Sequence, residues 1–166
     1  FSLNVSPLHF EQPQVFIQKV WELINAYHIP PSLLTFEITE SAYVNNQEAV
    51  NQVIRSFKQH QIYISMDDFG SGYSSLNTLK NLLFDEVKID RKFLGDSLTE
   101  NARIVLQEIF HMLKRMNKLI VCEGVETPEI ADFLKEEGCS EIQGFLYYRP
   151  MCCEEFEKLM HEKFAA

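Results

Sequence analysis

The 166-residue chain holds only six glycines, six prolines, four cysteines and one tryptophan, and each scarcity removes a class of protein. So little glycine and proline excludes collagen-like, low-complexity and disordered chains. With 46% hydrophobic and 23% charged residues, there is enough apolar material for a sizeable core. No stretch approaches the ~20 consecutive apolar residues of a membrane span. Phe1-Ser2-Leu3-Asn4 is neither an initiator start nor a signal peptide, so a piece of a longer protein is expected. Cys122, Cys139, Cys152 and Cys153 form no CxxC pair and have no histidine at zinc-finger spacing. A structural zinc site or a disulfide framework is therefore not expected, and a cytoplasmic location is, with membrane attachment of the full protein left open. Positive charge is short as well: 15 Lys+Arg against 24 Asp+Glu leave a net charge of -9. That balance argues against DNA, RNA or an anionic bilayer as a partner, and an anionic substrate would need recruited cations.

What the chain does have is a regular alternation of short β-branched runs and amphipathic stretches. Strands are expected at residues 2–6, 34–39, 62–67, 86–90, 119–123 and 141–145. Helices are expected at 14–27, 47–59 and 101–116, from Pro128-Glu129 onward, and at 154–164. The first should bury Phe16, Val20, Leu23, Ile24 and Tyr27, the second Val50, Val53, Ile54 and Phe57, and the third Ile104, Val105, Ile109, Met112 and Met116. Connections are short, and no internal domain boundary is visible.

Repeated βα units imply a parallel sheet with right-handed crossovers. The strands alternate apolar with polar positions: Leu34, Phe36 and Ile38 oppose Thr35, Glu37 and Thr39, and Val87 and Ile89 oppose Glu86, Lys88 and Asp90. A solvated antiparallel sheet would read the same way, but connections of helical length favour parallel pairing. The expected fold class is therefore α/β, a TIM-type (β/α)8 barrel with its polar face inside. Asn4, Glu37, Asp67, Lys88, Glu123 and Gln143 would converge at the carboxyl-end mouth, spaced about 28 residues apart on average, close to the ~31 of an eight-unit barrel. About six units are present, and about two are expected to precede Phe1.

Asp67-Asp68 ends an apolar strand, and adjacent carboxylates there need a cation or a shared proton to coexist. Exposed acidic pairs are common in loops, so the weight rests on the strand-end position. With Asn4, Glu37 and Glu123 the donor set is all oxygen, which suits one or two Mg²⁺ or Mn²⁺ ions. Two readings stand for Lys88: a structural ion pair, or a cation that orients water and stabilises developing negative charge. Gly144 after Gln143 allows backbone or ligand to approach closely. His9, His28, His60, His111 and His161 are read as surface or packing residues, and Trp21, Tyr147 and Tyr148 as packing residues.

LNVS at 3–6, FEITES at 36–41, DDFGSGYSSL at 67–76, VKID at 87–90, EGVET at 123–127, QGF at 143–145 and RPM at 149–151 occur in one order and spacing. Together they resemble the EAL-domain phosphodiesterases, which hydrolyse the bacterial second messenger cyclic di-GMP. The resemblance implies an EAL-type barrel domain over residues 1–166, incomplete at its amino end, and two-metal hydrolysis to linear pGpG. It makes Asn4, Glu37, Asp67, Asp68 and Glu123 metal ligands, with Asp67 bridging. Lys88 would position the attacking water, with Glu123 helping to activate it. Gln143 and Asp90 match substrate-site positions. Glu40 and the loop of Phe69, Gly70, Ser71 and Gly72 match a mobile regulatory loop near a dimer contact. A homodimer and attached sensory or cyclase domains are implied too. The chain departs from the family in lacking the Glu-Ala-Leu strand and its metal-binding glutamate, expected upstream. A domain that binds cyclic di-GMP without cleaving it, or a protein-interaction scaffold, remains the alternative.

Overall fold

In the computed structural model, which describes residues 1–70, 83–95 and 98–164, six strands lie side by side in chain order. They are β1 (Ser2–Asn4), β2 (Thr35–Thr39), β3 (Tyr63–Phe69), β4 (Glu86–Ile89), β5 (Leu119–Cys122) and β6 (Glu141–Ile142). Every pairing is parallel, which disposes of the antiparallel alternative. The helices are α1 (Pro13–Tyr27), α2 (Glu40–Asn45), α3 (Gln47–Lys58), α4 (Arg91–Leu94), α5 (Glu100–Arg115), α6 (Pro128–Glu136) and α7 (Cys153–Phe164). Among the described residues no helix is long and apolar enough to cross a membrane.

Local chemistry sets the helix starts. Pro13 and Pro128 occupy first turns, where a missing N–H costs nothing. Thr39, Asp90, Thr99 and Thr127 cap α2, α4, α5 and α6 through their side-chain oxygens. The short α2 and α4 were not expected, because each is a single capped turn or little more, below the reach of a hydrophobic period.

The apolar strand positions Phe36, Ile38, Ile64, Met66, Val87, Ile89, Ile120 and Cys122 are all buried in one core cluster with the helices. α3 buries Val50, Val53, Ile54 and Phe57 as its sequence suggests. Phe57 is fully buried, with ring centroids 5.1 Å from Phe36, 5.8 Å from Phe16 and 6.1 Å from Trp21.

Two helix faces differ from expectation. In α1 only Val20 and Ile24 are buried, and Leu23 and Tyr27 are exposed. In α5 the buried residues are Leu106, Phe110 and Leu113, with Ile109, Met112 and Met116 at the margin and Ile104 and Val105 exposed. The 3.6-residue period identifies a helix, but in α5 two neighbouring stripes are apolar, and the stripe of Leu106, Phe110 and Leu113 goes inside. Tyr147 and Tyr148 are also exposed rather than packed. Both donate backbone N–H groups to the Gly144 carbonyl, and this tight turn leaves their rings outside the helix layer.

β6 stops at Ile142, three residues short of the expected end. A side chain at Gly144 would sit 2.0 Å from the Val125 carbonyl oxygen, so the chain there turns tightly against the loop after β5. Phe57→Ala should destabilise the domain by about 3–5 kcal/mol, the usual cost of emptying an aromatic core site, read from urea denaturation. A loss below ~1 kcal/mol would show that the aromatic cluster is not the packing centre.

Candidate active site

Parallel register places the polar residues in line. Asn4 lies opposite Glu37, Glu37 opposite Ser65, and Ser65 opposite Glu86, while Lys88 follows two residues after Glu86 on the same face. Lys88 Nζ is 2.6 Å from Glu37 Oε1, 2.5 Å from Glu123 Oε1 and 3.6 Å from Asp67 Oδ1. Lys88 and Glu37 are buried, at 5% and 7% exposure. Glu123 lies one residue beyond β5, where its N–H donates to the Ile89 carbonyl.

Strict alternation along β3 would put Asp67 and Phe69 on the inner face and Asp68 among the helices. An irregularity prevents this. Met66 pairs with Val87 and Phe69 with Ile89, so Asp67 and Asp68 together oppose Lys88 alone, as in a β-bulge. Asp68 takes a left-handed backbone (φ 57°), a region that aspartate tolerates better than most residues. Its N–H donates to Asp67 Oδ1 at 3.0 Å. Phe69 thereby returns to the core, at 4% exposure. It is the last residue of β3 rather than part of a loop.

Gly70 follows with φ 87°, and a Cβ there would lie 2.0 Å from the Phe93 ring. Its N–H donates to Glu40 Oε2 at 3.0 Å, tying the end of β3 to the buried first residue of α2. Ser71 and Gly72, with the rest of that motif, lie outside the described residues. Asp90 Oδ1 caps α4 by accepting from the Lys92 N–H at 2.6 Å, and its carboxyl also contacts that of Asp68. Gln143 is exposed one residue past β6. Its N–H donates to the Cys122 carbonyl and its own carbonyl accepts from the Val125 N–H.

Electrostatics follow from this crowding. Burial opposes the Lys88 ammonium, but hydrogen bonds to Glu123 and Glu37 and the charges of Glu123 and Asp67 outweigh it, holding its pKa above the ordinary lysine value. Burial raises the Glu123 pKa, with Asp67 and Glu37 adding to the rise and Lys88 opposing it. Asp68 is raised by burial first, then by Asp67 and by its contact with Asp90. Glu37, Asp67 and Glu123 surround one ammonium, which leaves two negative charges in excess, and three with Asp68.

This donor set is all oxygen, with Asn4 beside Glu37, and its surplus negative charge fits a hard divalent cation rather than zinc. Among the described residues no three acidic, histidine or cysteine side chains are already grouped as a metal cage, and Lys88 stands between the carboxylates instead. Glu86 was not singled out from the sequence. It is a half-buried carboxylate on the inner face, with its pKa raised by burial, and its signal was the two-residue spacing from Lys88.

The parallel sheet, its flanking helices and this acidic mouth around a lysine are those of part of a TIM-type barrel. The chain belongs to the EAL domain family, whose profile matches residues 1–150. It is 35% identical, over 99% of its length, to the probable cyclic di-GMP phosphodiesterase PdeN of Escherichia coli. It is 36% identical, over 93%, to the bifunctional diguanylate cyclase/cyclic di-GMP phosphodiesterase MucR of Pseudomonas aeruginosa. The chain spans 32% and 22% of the lengths of these two relatives. Among solved structures, the PaMucR phosphodiesterase in complex with c-di-GMP superimposes with a TM-score of 0.85 at 35% identity, over 93% of this chain and 63% of that one.

Lys88→Met would leave the buried carboxylates uncompensated and should cost roughly 3–5 kcal/mol of stability without added metal. Glu123, whose folded pKa already lies above its unfolded value, would then be raised further. The variant should therefore be most stable below the unfolded carboxylate pKa and lose stability as pH rises through the raised folded value. Thermal melts across that range check both the size and the sign.

Proposed function

We propose that this chain is the larger part of a metal-dependent phosphodiesterase domain that hydrolyses cyclic di-GMP to linear pGpG. The observation that carries this reading is the buried Lys88 ammonium among Glu37, Asp67 and Glu123, with Asp68 brought to the same mouth by the β3 irregularity. The names of PdeN and MucR, and the c-di-GMP complex of the structural relative, support the substrate class.

Asn4, Glu37, Asp67, Asp68 and Glu123 would hold two Mg²⁺ or Mn²⁺ ions, and a glutamate upstream of Phe1 would complete the set. Such ions, when bound, supply Lewis-acid charge to the phosphodiester and lower the pKa of a coordinated water. Lys88 Nζ carries a positive charge that is stable at any physiological pH, so it can orient the attacking water by hydrogen bonding and face the charge that grows on phosphate oxygen. Glu123, with proton affinity raised by burial, accepts that water's proton on its carboxylate. Gln143 and Asp90 would contact the substrate. Glu40 of α2, through its bond to the Gly70 N–H, and the stretch from Phe69 through Gly70, Ser71 and Gly72 would couple the metal ligands of β3 to a homodimer contact. The bifunctional name of MucR supports an attached cyclase domain in the full protein, and the domain itself would work in the cytoplasm.

In the full-length protein with Mg²⁺ or Mn²⁺, Asp67→Asn and Glu123→Gln should each lower the rate of pGpG formation by at least ~100-fold, measured by chromatography of the products. Wild-type rates in either variant would overturn the assignment. Cyclic di-GMP bound but uncleaved by the wild type would make this a binding domain.

A further inference from the structure

We propose that Arg91 is a positioning residue for Glu123: its side chain lies as a strap across the loop after β5 and fixes the carboxylate that meets Lys88. This role rests on the metal-dependent reading of the site, in which Glu123 is a metal ligand. The main chain of the loop is held on either side of its glycine. The Glu123 N–H donates to the Ile89 carbonyl at 3.2 Å, the Val125 N–H to that of Gln143 at 3.1 Å, and the Val125 carbonyl accepts the Leu146 N–H at 3.1 Å. Thr127 then caps α6.

Gly124 sits inside this frame with a left-handed backbone, φ 67°. A side chain there would fall on Arg91, 2.6 Å from its Cβ, 3.1 Å from its Cγ and 2.9 Å from its Cδ. The aliphatic stem of Arg91 therefore fills the space that residue 124 leaves. Its guanidinium continues to Glu126, with Nη1 donating to Oε1 at 3.0 Å. One side chain thus spans the loop from residue 124 to residue 126.

Stability does not account for the strap. The Arg91 and Glu126 side chains are 62% and 47% exposed, and ion pairs so exposed contribute little to folding. Position does account for it. Ile89 lies opposite Cys122, so the chain after β4 and the chain after β5 leave the sheet side by side, and Arg91 reaches across from one to the other. Lys88 Nζ is 2.5 Å from Glu123 Oε1, and the residue next to Glu123 is a glycine, which restrains its own backbone least. The Arg91 stem removes that freedom from outside. Groups that orient a metal ligand in this way commonly set affinity by about ten- to a hundred-fold.

In the full-length protein, Mn²⁺ binding without substrate, read from the paramagnetic resonance of the free ion, and thermal melts in EDTA test this role. Arg91→Ala should weaken Mn²⁺ binding about ten-fold with the melting temperature unchanged. The contact runs through one nitrogen and one oxygen rather than a fork, so Arg91→Lys, which keeps stem and charge, should recover most of the loss. Glu126→Ala should weaken binding as well, and the double variant should be no worse than Arg91→Ala, since both changes break one strap. Unchanged Mn²⁺ affinity in Arg91→Ala would overturn the proposal, as would a loss that follows a falling melting temperature and is not recovered by Arg91→Lys. Wild-type protein that binds Mn²⁺ and shows these shifts without cleaving cyclic di-GMP would overturn the hydrolytic reading and support the strap. Wild-type protein that binds no Mn²⁺ would overturn both.

Discussion

One ammonium among three carboxylates organises this structure. Lys88 comes from β4, while Glu37, Asp67 and Glu123 come from β2, from β3 and from just past β5. A buried lysine charge is tolerated only where neighbours repay its lost hydration, and here the neighbours sit on different strands. A one-residue slip in any of these strands would turn its polar residue toward the helices and an apolar one toward Lys88. The ion cluster therefore tests the register of the sheet at each position. The apolar face sets the same register independently, since Ile38, Met66, Val87 and Ile120 are all buried with the helices.

The irregularity in β3 solves a problem that regular pleating cannot. Two consecutive side chains on a strand point to opposite faces, so Asp67 and Asp68 cannot both serve one mouth while the ladder stays regular. Opposing the pair with Lys88 alone, and giving Asp68 a left-handed backbone, brings both acids to one side and restores the apolar phase at Phe69. Gly70 then takes a conformation that favours glycine, with Phe93 filling the space a side chain would need. Asp90 does double duty, capping α4 and meeting Asp68, so the local structure after β4 also supports the acid pair on β3. Left-handed backbone and closely spaced like charges are both costly, and their concentration at one strand end is the pattern expected of a functional site.

Much of this was legible beforehand, for identifiable reasons. The two-residue and 3.6-residue periods place all six strands and the major helices to within a few residues, because burial on one face imposes them. The convergence of Glu37, Asp67 and Lys88 follows from the same alternation plus parallel order. The extension of β3 to Phe69 was not legible, since a bulge is one extra residue and leaves no period behind. The inner face of α5 was hidden because Ile104, Val105, Leu106, Ile109, Phe110, Met112 and Leu113 make both adjoining stripes apolar, and only packing chooses between them.

β5 shows what alternation leaves to other devices. Ile120, Val121 and Cys122 are consecutive and all buried, so the strand is apolar on both faces and carries no polar residue of its own to the mouth. Val121 lies in register with Lys88, where the neighbouring strands place polar groups. The acid of this unit must therefore come from beyond the strand end. Glu123 is held there by its N–H bond to Ile89, and the chain then leaves through Gly124 at φ 67°, where a side chain would run into Arg91. Arg91 in turn pairs with Glu126, closing the loop over the glycine. In β2 and β4 the pleat itself aims the functional group, whereas in β5 a backbone hydrogen bond and a glycine turn do so. The inward apolar Val121 lies level with Lys88, and the carboxylate of this unit reaches the Lys88 ammonium from two residues further along the chain.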